Sequence, residues 1–519
     1  MAEGGKPRSP PDPVATAMAA VFDDLVSLHR EMVEAGQRKQ SCLERIHPDH
    51  RTGARNLLHY LEMRRQDLRR LQTRLAELGL SSLGRAEVHA LDNVEAVLEL
   101  VRHRLARPWP ERGPDARQAE NDRADGYARL AAHAGAMFGP VPDRRDVRIM
   151  VTMPRAAADD PELIGRLMAA GMDLIRINTG HDEPAVWERM LANRRRAMAE
   201  RSCTCRVLID LAGPKVRTTR FHGPVADERG VRVRPDDTVV LVDDARSRIP
   251  VRADAVHVGC SHPTIFSQVS TGDQVVFDDG RFATEVAAVG DDHLVLTVTR
   301  ARARKGERLK LGKGLNVVGV HLGLPALSEA DHAHLDFVAE RADIAGLSFV
   351  QTAGDVRALD AQLDRRGADD VGILLKIETP GSFHNLPELL LTAMRRPLAG
   401  VMVARGDLAV EVGFERLAEV QEEILWLCEA AHLPVVWATE VLENKAKKGV
   451  ASRGEITDAA RAQTAECVML NKGPQIVDAV ISLDDILTRM HDHLHKKTPR
   501  LRRLSSWDDR PRLAELDAD

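Results

Sequence analysis

From Val147 onward, short β-branched or aliphatic runs alternate with amphipathic stretches of about 10–18 residues, and this limits the fold more than any other feature. The candidate strands cover 147–153, 172–177, 205–210, 343–349, 371–377, 399–404, 433–438 and 466–470. Strands alternating with helices imply a parallel sheet, because each helix carries the chain back to start the next strand in the same direction. Eight such units predict an α/β protein built on a closed (β/α)8 TIM barrel. An open doubly wound sheet is the alternative. It normally has fewer units and a Gly-rich phosphate loop, and no such loop stands in this sequence.

One stretch breaks the alternation. Between 218 and 312 no long helix is evident, and Thr238–Val242, Gln274–Phe277 and His293–Val298 read as strands, with Asp279-Gly280 as a turn. This predicts a small all-β domain, 219–312, inserted after the third barrel strand. The barrel is then 145–218 plus 313–490. Ahead of it, 14–140 reads as an all-α domain. Leu57, Leu58, Leu61, Leu68, Leu71, Leu75 and Leu78 repeat at helical spacings as one helix that stops at Gly79, and another helix runs from about 85 to 106. Pro108, Pro110 and Pro114 mark a linker, followed by a short helix over about 119–136. Residues 1–13 are expected to be disordered and 491–519 to form a flexible tail.

Composition excludes more than it selects. Lys and Arg number 73 against 78 Asp and Glu, a net charge of −5, so nothing calls for a nucleic acid or a membrane surface as partner. The apolar run from Val14 to Phe22 is cut short by Asp23 and Asp24, which does not read as a secretory signal, and no run reaches 18 apolar residues. Six scattered cysteines suggest reduced thiols and a cytoplasmic setting, and Cys203 and Cys205 read as chance rather than a metal clip. The basic residues split into 13 Lys and 60 Arg. In a chain that uses Arg by default, a Lys marks a place where a compact ammonium is wanted.

Active sites of such barrels lie at the carboxyl ends of the strands. There the second strand gives Arg176, Asn178 and His181; the third gives Asp210, then Lys215 and Arg217. The fifth gives Lys376 and Glu378, the sixth Arg405, Gly406 and Asp407, and the seventh Thr439 and Glu440. Any one of these is explained about as well by a helix cap or a loop ion pair. All of them on one rim are not. Glu378 and Asp407 suit a hard divalent cation such as Mg²⁺, which takes one or two carboxylates. Gly406 lets a ligand approach the backbone beside them. Arg176, Arg217 and Lys376 describe an anionic, phosphate-bearing substrate. Lys376 and Glu378, two apart on a strand, share a face, so ammonium and metal can meet on one enolate oxygen.

Together these residues resemble the pyruvate kinase family over roughly 145–485. The most specific segment is MVARGDL at 402–408; LLKIE at 374–378, AGMDLIRIN at 170–178, DLAGPKVR at 210–217, KGLN at 313–316 and ATEVLE at 438–443 agree in order and spacing. The resemblance implies a phosphotransferase of glycolysis that takes phosphoenolpyruvate and ADP to pyruvate and ATP. It implies that Arg176 and Lys376 hold the transferring phosphoryl group, that Lys376 stabilises the enolate, and that Glu378 and Asp407 bind Mg²⁺ or Mn²⁺. Asn178, Arg217, Lys313 and nearby His181 would face the nucleotide, Thr439 would relay a proton, and the inserted domain would close as a lid.

The departures are specific. The family's monovalent-cation site keeps Asn178 and Asp210 but has Gly180 for Ser, and Lys215 replaces a Glu. In the family that Lys goes with activity that needs no K⁺, since a fixed ammonium substitutes for a mobile charge, so K⁺ independence is expected. Thr152-Met153-Pro154, Glu440 and the NKGP loop at 471–474 depart on the nucleotide side, which leaves nucleotide preference open. The sequence ends near the last barrel helix, so the family's C-terminal domain and its sugar-phosphate regulation are expected to be missing. A homo-oligomer is left open. Arg51, Arg55, Arg64, Arg65, Arg69 and Arg70 read as a solvated face before an anion site, and His491, His493 and His495 as tail before metal ligands. Two rival functions remain: a Mg²⁺-dependent barrel lyase or aldolase on an enolpyruvate-like substrate, and a non-catalytic regulator that binds a phosphometabolite.

Overall fold

Eight parallel strands close into a barrel in the computed structural model, which describes residues 13–108, 126–223, 230–247, 249–302, 304–496 and 498–499. The expectations for 1–12, for Pro110 and Pro114, and for 500–519 fall outside the described residues. The strands are Arg148–Thr152, Leu174–Asn178, Arg206–Asp210, Ile344–Leu347, Gly372–Ile377, Ala399–Ala404, Val435–Ala438 and Cys467–Leu470. Nearly every residue in them is buried, as a sheet covered on both faces requires. Several of the helices between them begin with a capping box, Ser328 with Asp331, Thr352 with Asp355 and Ser452 with Glu455, where side chain and backbone satisfy each other's end groups.

A seven-stranded sheet lies between the third and fourth barrel strands. Its spatial order is Leu315–Val317, Gln274–Phe277, Phe282–Val289, His293–Arg300, Thr238–Asp243, Ala255–Cys260 and Thr218–His222. It has its own apolar core, including the stacked rings of Phe277 and Phe282 at 4.6 Å. Leu315–Val317, which the sequence assigns to the barrel, belongs to this sheet instead, because it completes the ladder beside Gln274–Phe277.

The first helices are Pro13–Arg38, Arg51–Arg64, Arg69–Glu77 and Ala90–Leu105. The leucine repeat that reads as one helix is interrupted at 65–68. There the Asp67 carboxylate accepts the backbone N–H of Arg69, a local bond that competes with helix propagation. The helix Gly126–Phe138 touches this layer along one edge, with the His133 ring 4.4 Å from that of His50, but turns its apolar face elsewhere. It sends Ala134, Met137 and Phe138 among Met150, Leu174, Leu208 and Met402, filling the barrel floor. The arginines of the layer serve separately: Arg64 lies over the Trp426 ring at 4.9 Å, Arg51 donates to Ile46 O and Arg69 pairs with Asp67.

The helical layer seats on the loops that enter the barrel strands. Asn56 donates to Ala430 O at 2.8 Å, His50 bonds Pro397 O at 3.0 Å and His432 bonds Val88 O at 2.9 Å. In the last segment, His491 faces Asp146 at 3.1 Å, Leu494–His495 pairs with Thr498–Pro499, and buried Lys496 pairs with Glu466. Of the six cysteines, none forms a disulfide, and among the described residues no helix is long and apolar enough to cross a membrane.

Two predictions concern this seating. A Cβ at Gly53 would lie 2.3 Å from the carbonyl oxygen of Ala431, so Gly53→Ala is expected to destabilise the docked layer by about 1–3 kcal/mol in urea unfolding. Burial lowers the pKa of His50, His59 and His432 to about 4, against 6.5 when unfolded. Neighbouring charges add to this, His133 and His47 at His50, Arg55 and His29 at His59, and His89, His133 and Arg129 at His432, while the bond to Pro397 O and then Asp49 oppose it at His50 and the bond to Val88 O opposes it at His432. The unfolded layer therefore binds protons first. Its stability is complete above pH 6.5 and is expected to fall between pH 6.5 and 4, on the order of 3 kcal/mol per histidine, as read by urea midpoints across that range.

Candidate active site

The carboxyl ends of the barrel strands open into a cavity of about 740 Å³, roofed by the inserted sheet. Its wall brings together Arg176, Asn178, His181, Lys215, Arg217, Lys313, Lys376, Glu378, Gly406, Asp407 and Thr439, every one of which the sequence singles out. Asp210 stands behind them, 1 % exposed, and binds the two cations in front of it. Its Oδ2 accepts from Arg176 Nε at 2.9 Å and lies 3.3 Å from Lys376 Nζ. Lys376 Nζ also lies 3.1 Å from Glu378 Oε1, and Arg176 reaches Thr152 Oγ1 at 2.9 Å.

This buried network is close to neutral, with two cations against two carboxylates. Burial alone would neutralise each group, but the partners decide the outcome. Burial works against the charged Lys376, yet Asp210 and Glu378 outweigh it and hold its pKa above the usual lysine range. Asp210 is likewise held below the usual carboxylate range by Lys376 and Arg176 against the cost of burial. Glu378 goes the other way: burial pushes it up, and the neighbouring charges of Asp407 and Asp210 add to this while Lys376 opposes.

Glu378 and Asp407 can be tested as cation ligands. Both carboxylates face the same cavity, and Asp407 is close enough to raise the proton affinity of Glu378. A hard divalent cation between them would remove that repulsion. Among the described residues no group of three or more His, Cys, Asp and Glu can hold a metal without help, so substrate or water oxygens would complete its shell. The donor set fits Mg²⁺ or Mn²⁺ used in that way. An added Cβ at Gly406 would make only ordinary contact with Thr439, at 3.5 Å, so packing within the chain does not call for glycine there.

Two of the remaining cations, Lys215 and Lys313, reach acidic partners. Lys215 Nζ lies 2.6 Å from Asp407 Oδ1 and 3.0 Å from Asp279 Oδ1. Its ion pairs are thus beside a candidate metal ligand and the roof, and neither is with Asp210. Lys313 pairs with Asp278 at 2.9 Å and Arg217 donates to Gly312 O at 3.2 Å. Asn178 Oδ1 accepts the N–H of Gly180 at 2.9 Å. His181 has a lowered pKa, through burial first and then the charges of Lys472 and Arg217. Thr439 sits at φ 65°, a left-handed conformation uncommon for a β-branched residue. Its hydroxyl donates to Ala438 O and accepts the N–H of Gly406, both at 2.7 Å.

Several site residues escape the sequence. Ser348 Oγ accepts from Lys376 at 2.7 Å and donates to Leu211 O at 2.6 Å. Phe349, at φ 52°, gives its N–H to Glu378 Oε2 at 2.6 Å. Both follow the fourth strand, so the strand-end rule that finds the others would have found them. Asp279 reads in the sequence only as part of a turn, and Asp278 is not singled out at all, because a turn and a ligand-facing tip use the same residue types.

A closed barrel with a β roof and a rim of paired cations and carboxylates defines a barrel enzyme scaffold for anionic ligands. The family model "Pyruvate kinase, barrel domain" matches residues 144–474. The pyruvate kinase of Geobacillus stearothermophilus is 30 % identical over 363 residues, 68 % of this chain and 58 % of that protein. Pyruvate kinase 1 of Trypanosoma brucei brucei is 30 % identical over 340 residues, 65 % of this chain and 64 % of that protein. The pyruvate kinase of Mycobacterium intracellulare is 31 % identical over 360 residues, 67 % and 70 %. Among solved structures, a pyruvate kinase from Cryptosporidium parvum aligns with a TM-score of 0.58 at 27 % identity, over 69 % of this chain and 72 % of that one. The chain belongs to the pyruvate kinase family. It spans less than two thirds of the length of the first two of these relatives.

Removing Asp210 would leave Arg176 and Lys376 buried without their shared anion. Asp210→Ala is expected to destabilise the barrel by about 3–5 kcal/mol, measured by urea unfolding.

Proposed function

We propose that this protein is a phosphotransferase that moves the phosphoryl group of phosphoenolpyruvate to ADP, forming pyruvate and ATP. The observation that carries the reading is the Lys376 ammonium, held by Asp210, Glu378 and Ser348 at the floor of a cavity walled by Arg176, Arg217 and Lys313. An ammonium fixed in that setting is aimed at an oxygen that becomes negative, which is the electrostatic need of an enolate leaving group.

Glu378 and Asp407 would hold Mg²⁺ or Mn²⁺, which when bound supplies Lewis-acid charge beside the phosphoryl oxygens. Arg176, kept straight by Asp210 and Thr152, binds and orients the phosphoryl group. Lys376 stabilises the enolate oxygen. Thr439, in the same cavity wall with its hydroxyl between the Gly406 N–H and Ala438 O, relays a proton to the enolate carbon. Asn178, His181, Arg217 and Lys313 take the nucleotide side, and the β domain, as a lid, keeps water from the transferring group.

K⁺ is not required in this reading. Gly180 offers no side-chain oxygen, Asn178 Oδ1 is taken by the Gly180 N–H, and Asp210 is occupied by two fixed cations. The Lys215 charge acts at Asp407, beside the divalent cation rather than at the older monovalent site.

Pyruvate formation from phosphoenolpyruvate, with and without ADP, in Mg²⁺ and no K⁺, tests the proposal. ADP-dependent pyruvate is the expected result. Product without ADP would turn the assignment to a lyase, and ligand binding without turnover to a regulator. Lys376→Ala is expected to lower kcat by about 10²–10³-fold, and near-normal kcat in that variant would remove the role given to Lys376. Adding K⁺ is expected to leave the rate unchanged; a many-fold rise would overturn K⁺ independence.

A further inference from the structure

The lid is joined to the barrel by two segments that pair with each other. Leu315 N–H donates to Val216 O at 2.8 Å, Thr218 N–H donates to Lys313 O at 2.9 Å, and Arg217 bridges Gly314. Both segments then reach for the same short helix, Arg405–Val412, the element that carries Asp407. The outgoing segment does so through Lys215 on Asp407. The returning segment does so through Asn316, whose Nδ2 lies 2.9 Å from Glu411 Oε1 and 3.5 Å from Asp407 Oδ1, and through the Gly319 N–H, 3.3 Å from Glu411 Oε2.

Glu411 is four residues beyond Asp407, so the two carboxylates share one face of the helix. Like charges at that spacing repel, and Asn316 stands between them donating to both. Glu411 is only 9 % exposed and Asn316 only 5 %, so these bonds are shielded from water. Apolar packing does not do the same work at this place. A gap of about 140 Å³ opens between hinge and barrel, lined by Val216, Asn316, Val320, Phe349 and Glu411. The lid tip lies against this helix and the start of the next, Phe414–Ala430. A Cβ built on Gly280 would lie 3.4 Å from Val410 and 3.9 Å from Phe414.

The geometry points to Glu411 as a positioning residue that, through Asn316 and Gly319, ties the returning hinge of the lid to the helix carrying Asp407, so that lid position and cation binding at Asp407 are coupled. Glu411 touches neither reacting atoms nor cation; it acts through Asn316 and the helix. The inference rests on the phosphotransferase reading for what closes the lid, but its mark is a coupling between hinge and cation that does not require turnover.

Hydrogen exchange of the hinge peptide around Gly319 and Mn²⁺ binding by electron paramagnetic resonance test it, with Mn²⁺ and ADP as probes. In the wild-type chain, Mn²⁺ is expected to slow exchange at Gly319, and ADP to tighten Mn²⁺ binding by about fivefold or more. In Glu411→Ala the exchange at Gly319 is expected to quicken and the effect of ADP on Mn²⁺ affinity to fall below about twofold. Glu411→Gln, whose single amide oxygen can accept from Asn316 but leaves no acceptor for the Gly319 N–H, is expected to give coupling between those of the wild type and Glu411→Ala. The Asn316→Ala, Glu411→Ala double variant is expected to lose no more than Glu411→Ala alone, and Asn316→Ala alone, which keeps the Gly319 bond, to lose less. In steady-state kinetics, the KM for ADP is expected to rise more than kcat falls. Wild-type hinge exchange that ignores Mn²⁺ would overturn the inference, as would unchanged ADP–Mn²⁺ coupling in folded Glu411→Ala. A wild-type chain that makes no pyruvate, yet shows the Mn²⁺-dependent hinge, would overturn the phosphotransferase reading and leave the coupling in place.

Discussion

Four buried charges, Arg176, Asp210, Lys376 and Glu378, set the terms for the upper half of the barrel. Each alone would cost several kcal/mol to bury, so none is tolerable without the others in position. That requirement fixes neighbouring structure. Arg176 and Asp210 lie on adjacent strands whose register pairs Asn178 with Asp210. On the other side Asp210 meets Gly346, where a Cβ would lie 2.5 Å from its Oδ1, so the fourth strand must leave a hole for the carboxylate. The chain then turns at Phe349 with φ 52° to bring an N–H to Glu378. A backbone strained in that way persists only where surrounding bonds over-determine it.

Three cations above this network are engaged by acids, Lys215 by Asp407 and Asp279, and Lys313 and Arg281 by Asp278. Two of these four pairs, Lys215 with Asp279 and Lys313 with Asp278, cross to the lid tip. Positive charge over the cavity is therefore held ready without being left unpaired. In the proposed reaction an anionic ester would compete with Asp278 and Asp279 for their lysines, and both acids stand on the lid tip. The same pairs suit Lys rather than Arg at 215 and 313. A compact ammonium can pass from carboxylate to phosphate by a short swing, whereas a bidentate guanidinium is held by its fork geometry.

Much of this was legible in the order of residues. The eight apolar runs give the strands to within one or two residues, because strands covered on both faces leave little but aliphatic side chains to choose from. The rim residues were legible because charge at a strand end is costly without a purpose. What stayed hidden depends on pairing across the chain. Lys215 reads as a stand-in for a monovalent cation near Asp210, yet its ammonium swings to Asp407, 192 residues away. Leu315–Val317 reads as barrel because only a partner strand shows it to be lid. The helix Gly126–Phe138 has the same periodicity as the layer before it, and periodicity cannot say which apolar surface a helix covers.

That last case bears on how the molecule separates its tasks. Met137 and Phe138 fill the barrel from below while the charged network fills it from above, and the two meet across Met150, Leu174, Leu208 and Leu374. The helical layer adds its contacts at Pro397, Ala430 and His432, in the loops on the same lower side. In barrels of this kind the lower loops carry stability and the upper loops carry chemistry. A layer seated below therefore acts on the site only through the strands themselves, which are packed too tightly to bend by degrees. By this argument the layer stiffens the scaffold that holds Lys376 and Glu378 in line, and the lid hinge above, bound by a few hydrogen bonds across a gap, is the part left free to move.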